Sequence, residues 1–597
     1  MRIGPIGKLL LVAALVSPTG CRQAVSEPER SGDGPTGTQA PRDSSGSALA
    51  AGLSEVVPGP STATGSAEAS CPQFRDVAQE AGLRFVYQNG RDERALMVQS
   101  TGGGAAWLDF DRDGSIDVYF AQGGNPTAPD DPAQPRDRLF RNHHGRFVDV
   151  TDASGIREPL FGQGAAAADF DADGFTDVYV TNVGRNTLYR NCGDGTFIEV
   201  TAEAGVGSPL WSSSAAWGDV DLDGDLDLFV CNYLDYDPYH PVSCTRDDGA
   251  PAICHPEHLA PVPNVLYLSE GDGRFRKAQP PQWSDGEGSK SLGVVIADLT
   301  NDGAPDIFVA NDTTANFLYV NDGRGNFREE AVARGCALSG LGQYQASMGV
   351  AVGDYDRNGA LDLYVTHFTD DSNTLYANLG DGNFEDRTRL LGLHEPVLAL
   401  LAFGTVMLDF DNDGHDDLFV ANGHIDDWRD RGQPWKMPAQ LFTFTGRRWR
   451  ECPGGGYFEL PRLGRGVAIA DFDRDRRPDV LVVNQLDPAA LLKNESPRPQ
   501  SLSLALVGRR SNRSAIGTRV VVDAGDTRLI QELCGGTSFA VSHEPRLWFG
   551  LPAASRACRV TIRWPSGNTQ TFETPTDSSW LVIEGGRPVR EDDGHDG

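Results

Sequence analysis

Seven copies of one nine-residue acidic pattern decide what this chain can fold into. The first runs Asp109-Phe-Asp-Arg-Asp-Gly-Ser-Ile-Asp117, and the others begin at Asp169, Asp219, Asp298, Asp354, Asp409 and Asp471. Their starts lie 60, 50, 79, 56, 55 and 62 residues apart, and a sustained long period marks a repeat architecture. Oxygen-bearing side chains stand at offsets 0, 2, 4 and 8, with glycine at offset 5 in six copies. Such spacing suits a hard cation: Ca²⁺ takes about 6–8 oxygen ligands, and a glycine lets the backbone wrap them round it. The candidate ligands are Asp109, Asp111, Asp113 and Asp117; Asp169, Asp171, Asp173 and Asp177; Asp219, Asp221, Asp223 and Asp227; Asp298, Thr300, Asp302 and Asp306; Asp354, Asp356, Asn358 and Asp362; Asp409, Asp411, Asp413 and Asp417; and Asp471, Asp473, Asp475 and Asp479. The seventh copy has Arg476 in place of the glycine, with Arg474 and Arg477 beside it, and is expected to be empty or closed by its own arginines.

An EF-hand opens in the same way but needs Glu at its twelfth position. Here that position holds Phe120, Val180, Val230, Val309, Val365, Val420 and Val482, inside apolar runs of strand character. The loop therefore joins two β-strands. Each repeat continues with a hairpin such as Asn186-Thr-Leu-Tyr-Arg-Asn191, a Gly-Asp-Gly turn, and Phe197-Ile-Glu-Val-Thr201. Four strands per repeat is the blade of a β-propeller, so the fold class is all-β and seven-bladed, with residues 71–498 forming the ring. Phe74–Leu83 matches the last strand of a blade that it does not follow, while the seventh repeat stops after Ala490–Asn494. The N-terminal segment is thus expected to complete the seventh blade and close the ring, leaving no open edge. The long third interval carries an insertion, about 233–263, read equally as a binding loop or as decoration. Residues 499–588 break the period with short strands and Gly/Pro turns, which suggests a small β-sandwich, and 589–597 read as a tail.

Residues 1–21 have the form of an export signal of lipoprotein type, with Arg2 and Lys8 before an apolar run and Cys21 as the residue to be lipidated. Ordinary signal-peptide cleavage is the alternative, since Pro18 stands where Leu is usual. Residues 22–70, rich in Ser, Gly and Pro, read as a disordered tether. These features place the protein outside the cytoplasm, as a membrane-anchored lipoprotein or a secreted one. The membrane is met only through that lipid. Net charge is −32, which excludes nucleic acid as a natural partner and is largely explained by metal ligation. Of the cysteines, Cys244 with Cys254 and Cys534 with Cys558 are the expected disulfides.

The Asp-x-Asp-x-Asp-Gly-x-x-Asp loops, the Asn-x-Leu-Tyr hairpins, and the segments Ser511–Gly517, Glu544–Gly550 and Arg563–Gly567 together resemble the FG-GAP/VCBS repeat proteins. More narrowly, they resemble the bacterial relatives of cartilage acidic protein 1 that end in an ASPIC/UnbV domain. The resemblance implies an integrin-like propeller with calcium in its hairpin loops, secreted or surface-associated, and supplies no established reaction.

Five residues beyond each closing Asp stands a polar residue: Gln122, Asn182, Asn232, Asn311, His367, Asn422 and Asn484. By blade symmetry these form a ring on the face opposite the metal loops, which could bind a sugar or polar peptide. The alternative is that Asn simply ends strands well. His367 and nearby His424 are the places to look for a ligand. Signatures of nucleophilic, metalloprotease or phosphate-cradling sites are absent from the sequence. The expected function is a calcium-binding interaction module for a protein or glycan. The alternative is an extracytoplasmic enzyme acting on carbohydrate or a secondary metabolite near His367 and His424.

Overall fold

The computed structural model describes residues 71–591, apart from 129–130, 132, 238, 286–287, 454 and 498–499. The expectations for Cys21, the export signal, the whole tether and most of the tail lie outside these residues. The second repeat shows the unit plainly: Phe161–Ala168, Asp177–Val183, Thr187–Asn191 and Phe197–Glu199 pair in order as an antiparallel sheet. Among the described residues seven such sheets are built around the seven acidic loops, six of four strands and the first of five, its extra strand being Val541–Ser542 of the C-terminal region. Each loop turns the chain from the first strand into the second, and its last Asp is the first residue of that second strand. Second strands such as Asp306–Asn311 are buried along their whole length because neighbouring sheets cover both faces, so they read as nearly continuous apolar runs. A four-residue helical turn follows the fourth strand in several blades, for example Thr201–Ala204, and ends on Gly205 with φ 78°. The sequence pattern alone does not separate this turn from the strand before it.

The seventh sheet consists of Gly464–Ala470, Asp479–Asn484 and Ala490–Asn494, and Phe74–Asp76 supplies its outer strand with Phe74 opposite Asn494. The N-terminal strand thus docks where the repeat count placed it. First strands of successive blades approach one another at one recurring glycine. A Cβ on Gly349 would lie 2.2 Å from the Phe403 carbonyl, one on Gly404 2.4 Å from that of Arg465, and one on Gly466 2.5 Å from that of Gly103. The last contact joins the seventh blade to the first.

The C-terminal region forms two four-stranded sheets, (Arg546–Gly550)-(Ser501–Val507)-(Ser578–Ile583)-(Val589–Arg590) and (Thr527–Glu532)-(Arg519–Ala524)-(Ala557–Arg563)-(Thr569–Pro575). Leu502, Leu504, Val520, Val522, Phe549, Val560 and Ile562 share the core between them. Val589–Arg590 pairs with Leu581 and Trp580, so the first residues of the expected tail belong to the sheet. This domain is not an appendage. Its segment 534–545 passes between the first strands of the propeller and touches all seven. Val541 and Ser542 pair in parallel with Ala105 and Ala106, and the Ala540 carbonyl accepts from the Ala165 amide at 3.2 Å. Ser214 Oγ accepts from the Ala540 amide at 3.1 Å, Gly535 and Ile296 exchange backbone bonds, and Val350 donates to the Ser538 carbonyl at 2.9 Å. Thr405 donates to Ser538 Oγ and Glu544 donates to the Ile469 carbonyl. Phe539, at the bend, packs into an apolar cluster with Phe403, Trp211, Met348 and Leu401.

Cys244 and Cys254 are bonded within the insertion. Cys534 and Cys558 are not: each is a separate thiol, Cys534 at the start of the inserted segment and Cys558 in the sandwich core. Instead Cys71 is bonded to Cys452, 381 residues away, which ties the chain just before the closing strand to the sixth blade.

Candidate metal centre

Each acidic loop is held by its own carboxylates before any ion is considered. The first Asp accepts the amide of the offset-5 residue through Oδ2, at 3.0 Å in Asp109–Gly114, 2.8 Å in Asp169–Gly174 and 3.1 Å in Asp219–Gly224. In the fourth loop Asp306 accepts the Thr300 amide through Oδ2 at 3.0 Å, and in the other six the last Asp accepts the amide at offset 1 through its own Oδ2, as in Asp117–Phe110 at 3.2 Å. Its Oδ1 accepts an amide from the third strand, Asn142 at 2.6 Å, Asn191 at 2.8 Å and Asn378 at 2.7 Å. The same asparagines then donate Nδ2 to the preceding blade's loop. Asn191 reaches Phe110 O at 2.8 Å, Asn378 reaches Leu299 O at 2.8 Å, and Asn142 reaches Phe472 O at 2.7 Å across the seam. Sequence reasoning misses these asparagines because an Asn two or three residues ahead of a Gly, as in Asn191-Cys-Gly193 and Asn142-His-His-Gly145, reads as an ordinary turn residue. Their recurrence at the ends of the third strands at 142, 191, 321, 378 and 494 is the available signal, with Ser269 in the third blade a departure. At offset 3, every loop places a non-glycine residue in the left-handed region, from Arg112 (57°) to Arg474 (59°).

What these bonds leave over is an inward-facing oxygen. Asp109, Asp169, Asp219 and Asp354 each keep Oδ1 buried with no hydrogen-bond partner. Carboxylate oxygens from offsets 0, 2 and 8 lie within 4.8 Å of one another in the first, second, third, fifth and sixth loops. The offset-4 residue turns back on itself: Asp113 accepts from the Ser115 amide at 2.8 Å, and Asn358 does the same with Ala360. Buried acids so close repel. Burial first, and then the neighbouring aspartates, push Asp109, Asp169 and Asp354 up to about 6 and Asp219 to about 7. Unpartnered hard oxygens that destabilise one another fit a divalent cation such as Ca²⁺, which would bond and neutralise them together.

The loops are not equal. The C-terminal domain packs on this face and accepts the amide of the first Asp in three of them: Ser514 Oγ from Asp169, Glu532 from Asp298 and Glu544 from Asp471. In the fourth loop, where Thr300 stands at offset 2, Arg519 lies 3.6 Å from Asp298 and 3.7 Å from Glu532. A cavity of about 480 Å³ remains between the first strands and this domain, with His543, Thr537 and Arg513 in its wall.

The polar ring on the opposite face is committed elsewhere. Gln122, Asn182, Asn232, Asn311, His367, Asn422 and Asn484 are all buried, and so is His424. The amides donate to backbone carbonyls of the following connection, Asn182 to Arg185 at 3.0 Å, Asn232 to Pro263 at 2.7 Å, Asn311 to Ala315 at 2.7 Å, Asn422 to Pro438 at 2.9 Å and Asn484 to Pro488 at 2.9 Å. Gln122 donates to Val86 O at 3.1 Å. His367 makes the equivalent contact through Nδ1 with Ser372 O at 3.0 Å, and its Nε2 lies 3.1 Å from Ser347 Oγ. That serine–histidine pair is sealed within the protein, and burial drives His367 down to about 3. The cavity wall includes neither His367 nor His424. The ring therefore pins strand connections, because an amide at a buried strand end must satisfy a carbonyl there.

A model of the FG-GAP-like repeat matches residues 109–180, 169–230, 259–309, 298–365, 361–420 and 409–482, and one described as ASPIC and UnbV matches 508–588. Cartilage acidic protein 1 of Xenopus tropicalis is 24% identical over 318 residues, covering 50% of this chain and 45% of that protein; the Homo sapiens protein is 24% identical over 316 residues, 50% and 44%. The chain thus matches less than half the length of these relatives. Among solved structures, an Agrocybe aegerita lectin recognising non-reducing terminal N-acetylglucosamine aligns at 13% identity, over 66% of this chain and 94% of that one, with a TM-score of 0.37. An ancestral GH74 enzyme aligns at 10% identity, over 82% and 63%, with a TM-score of 0.36. Neither score supports an argument about ligands. Among the described residues no helix is long and apolar enough to cross a membrane.

Proposed function

The chain belongs to the FG-GAP-like repeat family and ends in an ASPIC and UnbV domain, and from that premise we propose that it is a calcium-binding propeller acting outside the cytoplasm as an interaction module for a protein or glycan. The observation that carries this reading is the buried Oδ1 of the first Asp, left without a partner in four loops. Calcium would be structural there, joining the first, third and ninth residues of a hairpin that otherwise repel. Two disulfides suit an oxidising compartment, and sites of roughly 10⁻⁴–10⁻³ M affinity are filled outside the cytosol.

Three features bear on where a partner docks. The metal-loop face lies under the C-terminal domain, the ring's interior holds residues 534–545, and the opposite hub is packed with apolar side chains. The insertion is the long loop that departs from the repeat and leaves apolar side chains in solvent, Tyr239 being 55% exposed and Val242 45%. Its loop is braced by the disulfide and by Arg246, which lies 3.1 Å from Asp430 of the sixth blade. We assign partner contact to this braced loop. The test is an array of extracellular proteins and glycans probed with the full chain in calcium and in EGTA. The expected result is a calcium-dependent ligand whose binding falls at least tenfold in Tyr239→Ala/Val242→Ala; a ligand bound equally well by that variant would refute the assignment.

A further inference from the structure

The seventh loop differs from the others in what surrounds its carboxylates. Lys493, on the third strand of that blade, directs Nζ onto the Asp473 carboxylate and lies 3.2 Å from Asp475. Arg477 grips Asp475 with two nitrogens, Nε at 3.1 Å and Nη2 at 2.5 Å, and donates a third hydrogen bond to the Ser496 carbonyl at 3.2 Å. All four side chains are between 19% and 23% exposed, so solvent screens these pairs much less than a surface pair. Arg476 takes the glycine position with φ 64°, and its side chain leaves the loop for Asp577 of the C-terminal domain.

We propose that the seventh loop is capped by the protein's own cations and takes no divalent ion, with Lys493 and Arg477 standing where calcium stands elsewhere. The first loop is the informative contrast. Arg141 there also meets Asp111 and Asp113, at 2.6 Å and 3.1 Å, but it approaches from solvent, 44% exposed. It leaves Asp109, Asp111 and Asp117 gathered within 4.8 Å and Asp109 Oδ1 unpartnered. In the seventh loop, by contrast, both oxygens of Asp471 are taken, Oδ1 by the Asp475 amide at 2.9 Å and Oδ2 by the Arg476 amide at 2.7 Å, and the oxygen left over is Asp473 Oδ1, on the carboxylate that Lys493 holds. In the seventh loop the ammonium and guanidinium neutralise the offset-2 and offset-4 carboxylates from within. A divalent ion would have to displace both cations and leave them partly buried without a counter-charge, which is costly.

The position of this loop gives the capping a purpose. The seventh blade is the one assembled from both ends of the propeller sequence, and its loop is pinned by Asn142 from the first blade and by Glu544 from the C-terminal domain. A permanent cap makes the seam of the ring independent of metal supply, while the remaining loops respond to it.

The inference rests on the reading that the other loops hold calcium, and the experiment separates the two. Bound calcium per full-length chain is measured by atomic emission after dialysis, for the wild type, Asp111→Asn, Asp473→Asn and Lys493→Met/Arg477→Gln. Capping predicts one ion fewer in Asp111→Asn, an unchanged number in Asp473→Asn, and one ion more in the double variant. Loss of an ion in Asp473→Asn, or no gain in the double variant, overturns the capping. An unchanged number in Asp111→Asn as well would refute instead the calcium reading of the loops. Circular dichroism of each variant verifies that the fold is intact before counting.

Discussion

At the residue scale, each loop aspartate has a divided task. One oxygen of Asp109 shapes the loop by accepting the Gly114 amide, and the other faces inward without a partner. That division was legible in the sequence as far as offsets 0, 2 and 8, since a turn closed by carboxylates at those positions brings them together whatever lies around it. The fate of the polar ring was not legible. A strand-ending Asn and a ligand-facing Asn look identical until the next connection is seen to present a carbonyl to it. His367 offers a test of this, because Asn occupies the equivalent place in five other blades and donates to the corresponding carbonyl. Its folded pKa is depressed to about 3, so below the unfolded value of about 6.5 only the unfolded chain takes up the proton. Stability contributed by the neutral ring is therefore complete above pH 6.5 and lost as pH falls toward 3, at about 1.4 kcal/mol per pH unit. Replacing His367 with Asn should leave urea midpoints unchanged at pH 7.5 and make the variant the more stable protein at pH 5.5. Equal losses in both proteins would show that His367 does not titrate between the two states.

At the scale of elements, the blade was readable because its parts are local: alternating strands, an acidic loop, a Gly-Asp-Gly turn. What could not be read depends on the ring being closed. Cys71 and Cys452 are far apart in sequence and become neighbours only when Phe74–Asp76 lies along Ala490–Asn494 and the sixth blade comes round beside it. Cys534 and Cys558 share the C-terminal domain in sequence, yet Cys534 begins a segment that leaves the sandwich for the ring while Cys558 stays in the sandwich core. A disulfide across so long a separation constrains the unfolded chain strongly, with about 2–4 kcal/mol as the usual range. Cys71→Ser should lower the unfolding free energy by that amount under oxidising conditions. The difference from wild type should vanish when both are fully reduced. A variant as stable as the oxidised wild type would mean that pairing of the outer strand alone closes the ring.

At the scale of the whole molecule, charge and architecture are one problem. A chain of net charge −32 sets clusters of buried acids in seven loops on one face of a ring and then covers that face with a second domain. The covering domain also sends residues 534–545 through the centre, where they meet the first strand of every blade. Sequence periodicity revealed the ring and the separate sandwich, but nothing periodic announces a segment that belongs to one domain and packs in the other. Clustered acids under a lid are stable only with counter-charge, and the account requires that calcium provide it in the uncapped loops. Each filled site should add about 2.7 kcal/mol at a hundredfold excess of calcium over its Kd. The most direct test is thermal unfolding of the full chain across a series of free calcium concentrations buffered with EGTA. The account predicts a midpoint that falls steeply as calcium is withdrawn and recovers on its return. A midpoint that stays the same from millimolar calcium to excess chelator would contradict it.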